Sequence, residues 1–143
     1  MAADRMSPLD ATFLHVEDGV SHMHIGAVLL LDKPAPRFDE LATMIAGKLH
    51  RAPRYRQCVR FVPLQLGRPV WVDDPHFNLE YHLRHTALPA PGDQDALRRL
   101  VGRIMSQQLD RARPLWELWA VEGLDDGRWA LISKVHHLSL IHI

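Results

Sequence analysis

Two apolar segments near the C-terminal end place the tightest limit on what this chain can fold into. PLWELWAVEGL (114–124) and GRWALISKVHH (127–137) are rich in β-branched and aromatic residues, and EGLDDG joins them through Asp126–Gly127, a favoured hairpin dipeptide. A β-hairpin ending in two adjacent histidines, His136 and His137, is the expectation. Side chains alternate along a strand. His137 therefore shares a face with Val135, Ser133, Leu131 and Trp129, and His136 shares the other with Lys134, Ile132 and Ala130. The two imidazoles meet one substrate together only if the strand ends between them. One working imidazole and one structural imidazole is the economical reading, against the plainer one of a polar strand end.

The rest of the chain reads as alternating elements. MHIGAVLLLDKPAP (23–36) is a strand closed by prolines. Leu41, Met44, Ile45 and Leu49 fall on one helical face, with Asp39 and Glu40 at its start, Lys48 and His50 near its end, and Pro53 as its stop. Residues 56–75 read as two strands around a turn at Gly67–Pro69, and residues 81–92 as mostly extended. A second helix starts near Asp93, with the apolar stripe Leu97, Leu100, Val101, Ile104, Met105 and Leu109. Gly102 costs this helix about 1 kcal/mol against alanine, so a close packing contact is expected there. The order β, α, β, β, α, β, β predicts an α+β, two-layer fold with a mixed β-sheet packed on helices.

Composition removes several function classes. The 143 residues carry 17 Lys+Arg and 17 Asp+Glu, so there is no electrostatic case for nucleic acid or an anionic membrane. The longest apolar run, Ile25 to Leu31, is too short to span a bilayer, and the N-terminus lacks the apolar core of a signal peptide. Cys58 is the sole cysteine, which suits a cytoplasmic protein. Histidine pairs at His22/His24 and His82/His85 do not close a tetrahedral metal site. No Gly-rich phosphate loop or Gly-x-Ser-x-Gly elbow is present.

MSPLDATFLHVED (6–18), MHIGAVLLLD (23–32), HRAPRYRQ (50–57), WVDDPHFNLEYHLRH (71–85), LDRARPLWELWAVEGL (109–124) and WALISKVHH (129–137) resemble successive blocks of the bacterial bifunctional wax ester synthase/acyl-CoA:diacylglycerol acyltransferase family. The block 113–124 is the most specific. The resemblance implies one lobe of a CoA-dependent acyltransferase-like fold, whose active site lies in a tunnel between two lobes. It implies that His137 is the general base of a His-His-x-x-x-Asp-Gly motif and His136 its supporting partner. The substrates it implies are acyl-CoA and either diacylglycerol or a fatty alcohol, with no resident cofactor and no metal. Pro114, Leu115, Trp116, Ser7 and Asp10 become candidates for lining the substrate channel. Pro114–Leu115–Trp116 also reads as a strand entry, and Ser7–Asp10 as a capped turn before a short helix. Arg51, Arg54 and Arg56 either attract CoA phosphates or form a solvated basic face; the CoA site is otherwise unassigned. Condensation domains of peptide synthetases share the motif and are the alternative, as is a non-catalytic remnant.

The chain departs from the motif after His137, where Leu138–Ser139–Leu140 is followed by Ile141–His142 instead of Asp-Gly. Family members are about three times this length, consistent with two domains of ordinary size. Residues 1–137 are therefore expected to be a partial N-terminal lobe that needs a C-terminal lobe, and the fragment alone is expected to be inactive. The tail 138–143, LSLIHI, is what CTGTCTCTTATACACATC encodes, the end of a transposase sequencing adapter, and is expected to be foreign. The expected location is cytoplasmic, or peripheral on lipid. A read of the source DNA across the His137 codon is expected to continue through three residues into Asp-Gly. A read giving Leu-Ser-Leu-Ile-His-Ile and a stop codon defeats that expectation.

Overall fold

Alternation predicts where β7 (Trp129–His136) must go, since both of its faces carry side chains that need cover. In the computed structural model, which describes residues 3–18 and 21–140, β7 lies inside a four-stranded sheet. Its neighbours are β2 (His24–Leu31) and β6 (Trp116–Glu122), both antiparallel to it. The fourth strand, β5 (Leu83–Ala87), runs parallel to β6, so the sheet is mixed with order β2-β7-β6-β5. A smaller antiparallel sheet joins β1 (Asp4–Arg5), β4 (Val70–Asp73) and β3 (Gln57–Arg60) in the order β1-β4-β3.

Each face of the large sheet has its own helix. The amphipathic α4 (Gln94–Ser106) covers one, packing Ala96, Leu100 and Ile104 against Val121, Ala130 and Ile132. The Asp93 carboxylate caps its start by accepting the Ala96 N–H at 2.9 Å. The other end is met from the sheet. Lys134, fully buried on β7, donates through Nζ to the Ile104 carbonyl at 2.8 Å and also to the Gln107 carbonyl. A cation at a helix C-terminus answers both the orphan carbonyls and the dipole. Beneath the opposite face, α2 (Phe38–Ala46) packs Leu41 against Leu83 and Ala120, and Leu49 joins Trp116 and Val135. Fully burying each such aliphatic side chain is worth roughly 1.5–3 kcal/mol.

α1 (Pro8–Val16) closes a third cluster, in which Met6, Leu14, Trp71, Leu115 and Leu138 meet. The Ser7 side chain caps it by accepting the Asp10 N–H at 3.1 Å, as the capped-turn reading anticipates. The short α3 (Leu79–His82) precedes β5, and α5 (His137–Leu140) follows β7. Residues 141–143 of the expected foreign tail lie outside the described residues, while Leu138 and Ser139 are buried.

Three local expectations change. The first helix stops at Ala46; from Lys48 the backbone tightens into single 3₁₀ turns, Lys48 N–H reaching Ile45 O at 2.9 Å, so Leu49 is buried outside the helix. α4 stops at Ser106, and Leu109 belongs to the α1 cluster. Gly102 makes no close contact, because it lies on the exposed face of α4 with open space where a Cβ would be. The close approach is at Gly92, whose φ is 72° and whose missing Cβ leaves room for the Gly123 carbonyl.

β2 is an edge strand with little cover. Ile25 is 43% exposed, Leu29 55% and Leu30 43%. Two glycine substitutions test the packing by urea unfolding. Gly102→Ala is expected to stabilise the chain by about 1 kcal/mol. Gly92→Ala is expected to destabilise it by more than about 2 kcal/mol, from left-handed backbone strain plus collision with a carbonyl.

Candidate active site

The strand does end between the two histidines. His136 is the last residue of β7 and His137 the first of α5. His136 is fully buried, and both ring nitrogens are occupied. Nε2 lies 3.3 Å from Glu17 Oε1, and Nδ1 accepts the Leu138 N–H at 3.2 Å. A donor facing Nδ1 and a carboxylate facing Nε2 are satisfied together by the neutral Nε2–H tautomer alone. Burial pushes its pKa below the usual 6.5, against the pull of Glu17. His136 thus has no free lone pair for proton transfer.

Glu17 is the buried anion of this region. Its Oε1 accepts from Arg111 Nε at 3.0 Å and Nη2 at 2.8 Å, and its Oε2 accepts the Met23 N–H at 3.0 Å. Burial opposes the charge, but the Met23 N–H, the Arg111 guanidinium and His136 outweigh it and bring the pKa down from 4.5 to about 2. Glu17 and Arg111 stand 94 positions apart; both lie in blocks that carry the family resemblance, but nothing periodic links HVEDG to LDRARP, so their pairing had no sequence signal.

His137 has different surroundings. Its ring centroid is 4.4 Å from that of Phe13 on α1, and its Nδ1 is enclosed with no hydrogen-bond partner among the described residues. Its backbone N–H donates to the Met23 carbonyl at 2.8 Å. Ser133 and Val135, on the strand face leading to His137, help line an apolar cavity of about 290 Å³. Ile45, Tyr55, Trp116 and Leu118 complete much of its wall.

The Pro-Leu-Trp block divides its work. Pro114 is buried, and the Leu115 carbonyl accepts the His136 N–H at 3.0 Å, while the Leu115 side chain sits in the core with Leu138. Trp116 alone of the three lines the cavity. It donates through Nε1 to the Tyr55 carbonyl at 2.8 Å and belongs to a stack of Tyr55, Trp116, His82 and Phe77. Ser7 and Asp10 lie at the start of α1; Ser7 serves as its cap and Asp10 is buried. Arg54 pairs with Asp4 at 2.5 Å and lies over Trp71, and Arg56 lies over Phe77, so the structure commits both to local contacts; Arg51 is exposed. Among the described residues no cluster of three or more His, Cys, Asp or Glu is spaced to hold a metal ion. His82 Nδ1 meets the Trp116 carbonyl at 2.8 Å, and His85 pairs with Glu122. No helix among the described residues is long and apolar enough to cross a membrane.

Residues 6–140 match the wax ester synthase/diacylglycerol acyltransferase catalytic domain. A Mycobacterium tuberculosis protein named as a probable diacylglycerol O-acyltransferase is 43% identical over 136 residues, covering 94% of this chain and 29% of that protein. A second from the same organism, also named as a probable diacylglycerol O-acyltransferase, is 42% identical over 134 residues, covering 92% of this chain and 49% of its own length. The solved wax ester synthase/diacylglycerol acyltransferase of Marinobacter aquaeolei superposes with a TM-score of 0.80 at 37% identity, over 97% of this chain and 34% of that one. The first condensation domain of the calcium-dependent antibiotic synthetase superposes at 0.69 with 22% identity, over 96% of this chain and 33% of that one, a likeness of fold. The chain therefore spans between about a third and a half of the length of these relatives.

The buried charges predict how stability follows pH. Burial holds His24, His82 and His136 below their usual 6.5, so each is neutral in the fold. Their folded values lie under their unfolded ones, so their contribution is complete above about pH 6.5 and falls as acid is added. Glu17 adds a second loss between 4.5 and about 2, worth about 3 kcal/mol in all. The urea midpoint is expected to drop in these two stages; a midpoint constant from about pH 7 to pH 3 contradicts the assignment.

Proposed function

This chain belongs to the wax ester synthase/diacylglycerol acyltransferase catalytic-domain family, and on that premise we propose that the whole protein moves a long-chain acyl group from acyl-CoA to the hydroxyl of diacylglycerol or a fatty alcohol. The products are triacylglycerol or wax ester and free CoA. The observation that carries the reading is the division between the histidines. His136 has both nitrogens committed, while the ring of His137 stands outside that network, against Phe13, at the end of the strand whose Ser133 and Val135 line an apolar cavity.

His137 acts as the general base. With Nδ1 enclosed, Nε2 takes the proton of the acceptor hydroxyl as its oxygen attacks the thioester carbonyl carbon. The tetrahedral intermediate collapses, the carbon–sulfur bond breaks, and the leaving thiolate recovers the proton from the imidazolium. Transfer is direct, with no serine or cysteine nucleophile and no resident cofactor. An imidazole can both accept the hydroxyl proton and return it to the leaving thiolate. The cavity beside Trp116 has the size and apolarity for part of an alkyl chain. The wall opposite this lobe is contributed by the remainder of the protein. Acceptors of this kind are held in lipid, so the protein works in the cytoplasm with peripheral access to membranes or lipid inclusions.

The test is release of CoA thiol from a long-chain acyl-CoA, with diacylglycerol and with a fatty alcohol, by the complete protein carrying this segment. His137→Ala is expected to lower kcat by roughly 10²–10⁴-fold, the usual worth of general base catalysis. Full activity in that variant defeats the assignment, and transfer to an amine alone would move the protein to condensation chemistry. The 143-residue chain by itself is expected to give no turnover; activity from it would show that the second wall is dispensable.

A further inference from the structure

The Glu17 carboxylate touches more than an ion-pair partner. It collects Arg111 and His136 on Oε1 and the Met23 N–H on Oε2. Met23 immediately precedes β2, and its own carbonyl accepts the N–H of His137. His136 in turn accepts on Nδ1 the backbone N–H of position 138, Leu138 here, a group supplied by whichever residue follows His137. The two peptide N–H groups on either side of the His137 side chain are thus both anchored, and both anchors lead back to one carboxylate. One route runs Glu17, Met23, His137; the other runs Glu17, His136, Leu138.

We propose that Glu17, paired with Arg111, is the positioning residue of the site: it fixes His136 as the Nε2–H tautomer and, through Met23 and His136, clamps the backbone that carries His137. The inference rests on the reading of His137 as the base, and it concerns Glu17, Arg111 and His136 as groups that never meet substrate.

The geometry makes the two routes interdependent. If Glu17 lost its charge, its side chain would carry a donor as well as an acceptor, and an O–H or amide N–H could face His136 Nε2 and draw the ring proton to Nδ1. The alternative Nδ1–H tautomer points an N–H at the Leu138 N–H, donor against donor, and the turn into α5 would give way there. Arg111 holds the carboxylate from its other side. Its Nη2 also donates to the backbone carbonyls of Leu14 at 2.9 Å and Glu17 at 3.3 Å, so the clamp is tied to the last turn of α1 as well. That same helix supplies Phe13, against which the His137 ring rests. Backbone and ring of the base are thus referred to a single rigid segment, 13–17. A catalytic group has to be held within a fraction of an ångström by groups that are themselves held. A cluster whose carboxylate and imidazole are buried has the needed stiffness, since Glu17, His136 and the half-buried Arg111 are each satisfied within it.

The test reads the tautomer. Histidine ring nitrogens are labelled with ¹⁵N in this chain, and long-range correlation to the ring protons shows which nitrogen carries hydrogen. His136 is expected as a single Nε2–H form at neutral pH. In Glu17→Gln it is expected to become a tautomer mixture, with amide exchange at Leu138 about tenfold faster, the loss of one hydrogen bond of ordinary net strength. Arg111→Lys, which keeps a cation against the carboxylate, is expected to retain the Nε2–H form. A merely structural ion pair would change stability without moving the tautomer. Finding wild-type His136 as Nδ1–H or as imidazolium would overturn the proposal, as would histidine rings averaging to one unstructured signal. So would a folded Glu17→Gln chain with tautomer and Leu138 exchange unchanged. If that variant does not fold, the wild-type tautomer still decides. None of these readings depends on turnover, so a failure of acyl transfer and a failure of the clamp are separate results.

Discussion

A strand covered on both faces is the constraint from which the rest of this chain follows. β7 lies between β2 and β6, with α4 above it and α2 beneath. Any polar side chain on it must find its partner inside the protein. Lys134 finds the C-terminal carbonyls of α4, and Glu117 on the neighbouring strand lies 3.9 Å from its ammonium. His136 finds Glu17. The strand's two buried polar residues on the α4 face therefore tie it to the end of one helix and to the exit of another, α1. The site is assembled by the solvation needs of a single strand as much as by apolar packing.

Most of the local structure was readable from residue order. The hairpin of β6 and β7, the Ser7 cap, the start of α4 near Asp93 and the stripe of α4 all depend on residues within a few positions of one another. The failures share a cause in distance. Nothing in YHLRHTALPAPG says that its strand will run parallel to β6, because parallel pairing is closed through α4 and decided by what α4 covers. Gly102 looked like a packing contact because a helical glycine has a cost; only the finished fold shows that its face of α4 is bare. Lys134 alternates onto the buried face as the strand period demands, yet its role as a helix cap depends on where α4 stops.

The candidate site shows the same divide. Adjacent histidines were conspicuous, and alternation on a strand already argued for unequal roles. The structure adds that the strand ends between them, so that His136 is absorbed into hydrogen bonds while His137 turns into α5. The charged partner of His136 is Glu17 at the exit of α1, itself paired with Arg111; these three residues are separated by most of the chain, and only folding brings them together. Within Pro114–Leu115–Trp116, one conspicuous block serves two ends: Leu115 braces the histidine strand and Trp116 faces the cavity.

The ring stack behind that cavity has an optical side. Trp116 lies between Tyr55, at 5.2 Å between centroids, and His82, at 4.7 Å, and His82 is kept neutral by burial. A neutral imidazole lying flat on an indole is a weak quencher of its emission, whereas a protonated one is a strong acceptor of the excited electron. The cavity wall therefore carries its own lamp: Trp116 fluorescence is expected to dim where His82 takes up a proton, so light reads the charge of the ring stacked on it.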